Sequence, residues 1–271
     1  YDPTTGKLAR HEFTVPHKYA GTTNLYESGK LARTEFTVPH KEAGTTEHFD
    51  PTTGKLARTE FAVPHTWAGT TEHYDPTTGI KVRTEFAVPH KYAGTTNLYE
   101  SGKLVRTEFA EPHKEAWTTE HYDPTTGIKV RTEFTVPHKE AGTTEHFDPA
   151  TGELARREFT VPHPYAGATH LYESGKLARR ELTVPHKYAG TTNRYESGKL
   201  ARREFAEPHV SAGKTEHFDP ATGELARREF AVPHDYAGTT EHYDPTTGKL
   251  ARTEFAVPHD YAGTTEHYDP T

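Results

Sequence analysis

The chain has no cysteine and no methionine. The first absence excludes disulfide staples and thiolate metal sites. It says little about redox compartment, because near-identical units sample one ancestral composition many times over. Long apolar runs are missing too. Nothing approaches the roughly 20 consecutive apolar residues of a membrane-crossing helix, and no signal-peptide pattern is present. An excess of basic charge is also lacking. With 32 Lys and Arg against 39 Asp and Glu, the net charge is −7 with His neutral. Arg and Glu alternate along the whole length, which excludes a basic groove for nucleic acid. Apolar residues make up only 32% of the chain, too little to fill a globule of 271 residues.

Aromatics, by contrast, reach 11%, more than a disordered chain carries, and the 21 Gly and 20 Pro fall at fixed places. The fixed places are a repeat. Units of 23 or 25 residues begin at Tyr1, Tyr26, Phe49, Tyr74, Tyr99, Tyr122, Phe147, Tyr172, Tyr195, Phe218 and Tyr243, with a partial unit from Tyr268. The sequence therefore reads as one continuous array over residues 1–271, of about eleven units. Two cassettes alternate. The longer opens Tyr/Phe-Asp-Pro-Thr/Ala-Thr-Gly, as at Tyr1 to Gly6, and the shorter Tyr-Glu-Ser-Gly, as at Tyr26 to Gly29. Residues 74–146 repeat the order of the first 73 almost word for word.

Turn chemistry sets the secondary structure. Ser28-Gly29 between two short strand-like segments is a hairpin signal. Asp2-Pro3-Thr4-Thr5-Gly6 places Pro early in a turn and Gly where φ is positive. A second break, from Pro16-His17 to Ala20-Gly21, precedes the Thr-Thr segment that leads to the next aromatic. Each unit is thus two strands and two turns, and no 3.6-residue stripe survives to make a helix. The fold class is all-β: a tandem β-hairpin repeat array forming an elongated twisted sheet. The alternative is a β-solenoid with one unit per coil, which stacks equivalent side chains about 4.8 Å apart.

Strict alternation from Lys7 places Ala9, His11, Phe13 and Val15 on one face and Leu8, Arg10, Glu12 and Thr14 on the other. Ile80-Lys81-Val82 and Ile128-Lys129-Val130 put apolar residues on the Phe/Val face and Lys on the other, so the Phe/Val face is the expected buried one. A bulge would reverse that parity. Arg10 and Glu12 recur on the opposite face and are expected to form a ladder of cross-strand ion pairs.

Gly21 to Leu31 and Gly94 to Leu104 carry Gly-x-x-x-x-Tyr-Glu-x-Gly-Lys-Leu. This text resembles the variant class of MORN repeats, and the resemblance implies successive hairpins added end to end in a long twisted sheet. The long cassette, at Gly44 through Gly54, also resembles the YD repeats of bacterial Rhs toxins and teneurins. Both resemblances imply scaffolding, and neither brings a catalytic residue.

Histidine is the one residue type that invites a site. Of twenty, eleven follow Pro, from His17 to His259, and seven precede an aromatic, from His48 to His267. Metal binding needs imidazoles that converge, whereas equivalent residues two strands apart lie about 10 Å from each other. The expected role of the Pro-His imidazole is instead to bond its own turn. Protonating all twenty raises the formal net charge from −7 by twenty, to +13, so solubility or assembly should change between neutral and mildly acidic pH. Asp2 to Gly6 offers calcium a single carboxylate and reads as an Asx-type turn. Glu27-Ser28-Gly29-Lys30 lacks the glycine spacing and the helix of a phosphate loop.

No nucleophile elbow, zinc-protease pair or unique acid–base group is present. An active site is a singular place, and the exceptions here are mild: Trp67, Trp117, Glu111 and Glu207. Trp117 replaces a bend Gly, which reads as drift among copies. The expectation is a structural protein and not an enzyme, with no catalytic, cofactor-binding or metal residue and no cofactor. It is a scaffold or fibre/filament subunit joining through β-strand edges, head to tail or with a longer array. The alternative is a multivalent binding module for a glycan or protein. Neither nucleic acid nor membrane insertion is expected. Tyr1 in place of a start Met reads as a processed or excerpted segment. No segment specifies a compartment; the reading leans to the extracellular space or cell surface.

Overall fold

A computed structural model describes residues 1–269. It holds 22 strands and no helix among the described residues. The chain forms two compact units, residues 1–132 and 133–271. Within the first, each strand from Arg10–Phe13 to Thr118–Tyr122 pairs antiparallel with the next in sequence. Within the second, the same meander runs from Thr143–Phe147 to Thr265–His267. Antiparallel neighbours exclude the one-unit-per-coil solenoid, whose successive coils would pair in parallel. Both units are tandem hairpin arrays in open antiparallel sheet.

The two predicted turns alternate. At the short cassettes the hairpin closes through two residues of positive φ, Ser28 at 50° and Gly29 at 83°, the geometry whose twist suits paired strands. At the long cassettes the Asp carboxylate holds the loop: Asp50 Oδ1 accepts from the amides of Thr52 and Thr53 at 3.0 and 2.7 Å. The donors of Thr53, and then of Thr52, hold that exposed carboxyl below its ordinary value. The second turn is a corner built on a cis Val-Pro or Glu-Pro bond in every unit.

A β-bulge that recurs from hairpin to hairpin corrects the expected faces. Leu25 pairs with Arg33, but Tyr26 pairs with Leu31, so Ala32 is the extra residue. Ala57 and Ala251 are skipped in the same way. The bulge brings Leu31 onto the face of Thr34 and Phe36, opposite Tyr26, where strict alternation put Ala. Val82 is the skipped residue of its hairpin and is exposed, while Lys81 stands in the Leu position opposite Tyr74. Lys81 reaches that face because its ammonium pairs with Glu72 at 3.0 Å and lies over the Tyr99 ring. The corner valines are not buried either. Val38 is 74% exposed, because the strand ends at Phe36 and the corner turns the next side chains outward.

What fills the Phe face is threonine. Thr70 is 4% exposed and sits between Phe61 and Phe86 on its neighbouring strands. Its hydroxyl is buried with no hydrogen-bond partner, as are those of Thr45, Thr95, Thr118, Thr143, Thr191 and Thr239. At this position of one hairpin the chain already carries Ala168, packed with Phe159 and Leu182. A β-branched side chain suits the strand, but its buried hydroxyl is a liability. Thr70→Val keeps the shape and removes the orphan donor. It should raise stability by about 1 kcal/mol, read as a higher urea midpoint; a lower midpoint would mean that the hydroxyl is satisfied.

Candidate functional site

The histidines that follow Pro build the corners. In all eleven corners Nδ1 accepts the backbone amide two residues on: from Tyr19 onto His17 at 3.1 Å, and so through the chain to Tyr261 onto His259 at 3.2 Å. That bond assigns Nδ1 as the acceptor and leaves the proton of the neutral ring on Nε2. The ring also packs on the Phe that ends its strand, with centroids 4.6 Å apart for Phe36 and His40. The expected turn-bonding role is what the corner contains. Adjacent corners then stack: the Gly44 carbonyl accepts the Ala62 amide at 2.7 Å, and Trp67 lies parallel to the His90 ring.

The histidines that precede an aromatic lie on the other face. There Arg and Glu pair within one strand, two residues apart, as in Arg33 with Glu35 at 2.6 Å and Arg58 with Glu60 at 2.7 Å. The expected cross-strand ladder is therefore mainly an in-strand row. Residues two apart share a face and the partners need no second strand. His48 joins from the neighbouring strand, 3.2 Å from Arg58 and 3.6 Å from Glu60. Burial, and next the Arg58 charge, push its imidazole below the ordinary value. The two histidine classes thus do not meet. Among the described residues no group of three or more His, Asp or Glu is placed to hold a metal ion.

Sequence reasoning missed a third feature, a polar seam along the middle of the Phe face. In the first unit Glu47 faces Thr34 and Thr59. Burial, and then the like charge of Glu42, raise its carboxyl above the ordinary range. In the second unit four of the corresponding positions carry Arg157, Arg180, Arg203 and Arg228, while Thr253 keeps the threonine. Their partners across the strands are Glu145, His170, Asn193, Glu216 and Glu241. Arg157 bonds Glu145, Arg203 bonds Asn193 Oδ1 at 3.0 Å, and Arg228 lies 3.0 Å from Glu241. The change from Arg-Thr-Glu-Phe to Arg-Arg-Glu-Phe stands in the sequence, but only the strand register shows that the second Arg faces the seam.

His170 sits between Arg157 and Arg180. Burial, and then the charges of Arg180 and Arg157, lower its imidazole to about 4. The unfolded chain takes up this proton near pH 6.5, before the folded one does. Stability is therefore lost as pH falls from about 6.5 towards 4. His170→Asn restores the residue that stands at Asn24, Asn97 and Asn193 and should flatten that slope. Between pH 7.5 and 5 the parent chain should lose about 1 kcal/mol more than the variant, after allowance for solvent screening. Parallel urea-midpoint profiles for the two proteins would remove His170 from the account.

No family model matches the chain, and no curated protein does. Among solved structures, a crystal structure of TarM resembles it at a TM-score of 0.23 and 13% identity, over 44% of this chain and 18% of that one. A structure of TcdB2-TccC3-Cdc42 gives a TM-score of 0.21 and 11% identity, over 86% of this chain and 14% of that one. The chain spans less than a fifth of the length of either structure. Likeness at this level carries no argument about function, which rests on the chain's own geometry.

Proposed function

We propose that the chain is a non-catalytic structural repeat element, a scaffold or filament subunit that grows by adding hairpins at its strand edges. The observation that supports this reading is the uniform register. Hairpin after hairpin repeats the same pairing and the same bulge, as between Thr22–Glu27 and Lys30–Phe36 and again between Thr239–Tyr243 and Leu250–Phe255. Among the described residues, Arg10–Phe13 and Thr265–His267 each pair on one side only. An unpaired edge with repeat chemistry accepts another repeat, whether from the same chain or from another copy. Of the two resemblances, the MORN-variant one fits the two-residue Ser-Gly hairpins and the YD one the Asp-Pro loops; both belong to scaffolding repeats. Nucleic acid and bilayer are not among the partners we propose. Negative-stain electron microscopy at neutral pH tests the reading. Filaments of uniform width are expected, and separate particles at every concentration would sink self-assembly by this segment.

A second reading, a multivalent binding module, draws on the corners. Tyr19, Trp67, Tyr92, Tyr188 and Tyr236 are 48 to 62% exposed there. Weak sites repeated along one chain gain avidity from number alone. Pulldown of a glycan or protein that strengthens with the count of repeats would favour it.

A further inference from the structure

Arg180 stands apart in the inner seam because neither residue paired with it across the strands is a carboxylate. Arg157, Arg203 and Arg228 each have a glutamate: Glu145, Glu216, and Glu216 with Glu241, respectively. Arg180 lies between His170 and Asn193 and has no ion-pair partner among the described residues. Its Nε is buried without a hydrogen-bond partner. A half-buried guanidinium whose hydration is partly stripped is an unfavourable arrangement until an anion completes it. Bidentate bonding to a carboxylate is the geometry that a guanidinium fits best.

The cation opens into space of the right kind. A cleft of about 860 Å³ is lined by Arg180 and Arg203, by Leu182 and Phe205, and by Tyr165 and Tyr188. No acidic side chain lines it. The comparable cleft around Arg228 is lined by Glu241 and Glu266 and so supplies its own counter-charge. The rings of Tyr165 and Tyr188 are 55 and 51% exposed. The cleft therefore pairs the uncompensated Arg180 with aromatic and apolar walls. A ligand that uses both has a flat, weakly apolar face and a carboxylate at its edge.

We propose that this cleft binds the carboxylate of an acidic sugar residue. The sugar ring lies along the tyrosine and apolar walls while the carboxylate meets Arg180, with Arg203 and the Lys187 ammonium nearby. Inorganic phosphate satisfies the charge but leaves the walls unused; a neutral sugar does the reverse. The proposal gives the binding-module reading a ligand class. It requires no assembly, so its failure and that of the filament reading are separate results.

The test is calorimetric titration of the full chain with glucuronate, with glucose and with inorganic phosphate. Two variants accompany it. Arg180→Thr restores the residue found at Thr34, Thr59 and Thr84, and Asn193→Glu restores that found at Glu47, Glu72 and Glu120. Each residue already stands at the equivalent seam position of other folded hairpins in this chain, and circular dichroism verifies each fold. Expected is one glucuronate per chain, bound at least about tenfold more tightly than glucose or phosphate. Both variants should weaken it by about tenfold or more, the second because its own carboxylate occupies Arg180. Absence of glucuronate binding, phosphate bound as tightly, or affinities unchanged in either variant would overturn the proposal.

Discussion

Gly238→Ala should destabilise its hairpin by about 3 kcal/mol or more, whereas Gly248→Ala in the next turn should cost only about 1 kcal/mol. Both glycines have positive φ, 88° and 69°, so both substitutions incur the left-handed penalty of an L-residue. Only the first also meets a wall. A Cβ on Gly238 would lie 2.1 Å from the Ala256 carbonyl oxygen and 2.9 Å from the His259 amide, whereas at Gly248 nothing lies within 4 Å. The obstructing oxygen has no freedom to retreat. It accepts the His259 amide at 2.9 Å, and the Ala256 amide donates back to the Gly238 carbonyl at 2.7 Å. Moving it breaks the stacking of one corner on the next. Hydrogen exchange at the Ala256 amide is the direct measure, because an array need not unfold in one step. Equal protection in the two variants would mean that the corner backbone is softer than its bonding implies.

Trp117 puts the same conformation to a natural test. It occupies a corner-glycine position at φ 70°, so the array carries one such residue with a side chain. The cost of that backbone alone is about 1–2 kcal/mol. A long array absorbs one such cost locally, since each hairpin is held mainly by its neighbours.

Repeat, strands and turns could be read from the sequence because each rests on local chemistry. Ser28-Gly29 has one good hairpin geometry, Asp50 can cap only the amides beside it, and Pro39 ends its strand wherever the rest of the chain goes. The turn-bonding role of His40 was legible for the same reason. The faces were not, because a single skipped residue decides them. Ala32 looks like any strand alanine, yet skipping it carries Leu31 across the sheet. The same parity error made Val82 appear buried and Lys81 exposed. Burial was misjudged for Val38 by counting it within a strand that ends two residues earlier, at Phe36. The inner seam stayed hidden for a different reason. It depends on which residue two strands pair with, so that Asn193 beside Arg180 acquires meaning only once the register is known.

That register gives one seam position opposite signs in the two units. Glu216 is 8% exposed and holds three cations: Lys214 at 3.0 Å, Arg203 at 3.5 Å and Arg228 at 3.7 Å. Glu216→Gln keeps the shape and removes the only charge common to them. Full burial would make such a loss worth about 3–5 kcal/mol. The arginines are partly exposed, so about 2 kcal/mol is expected after screening. Adding Arg203→Thr and Arg228→Thr to the Gln variant should recover most of it, because the seam then resembles that of the first unit. Glu47 is the counterpart without cations, set between Thr34 and Thr59. Its raised carboxyl means that ionisation there opposes folding. The penalty is present at neutral pH and vanishes as pH falls below the ordinary carboxylate range. Glu47→Gln should therefore leave stability unchanged or slightly raised at pH 7, where Glu216→Gln lowers it. Urea midpoints for the two single variants decide the matter, and a loss of equal size at both positions would show that the seam arginines do not distinguish them.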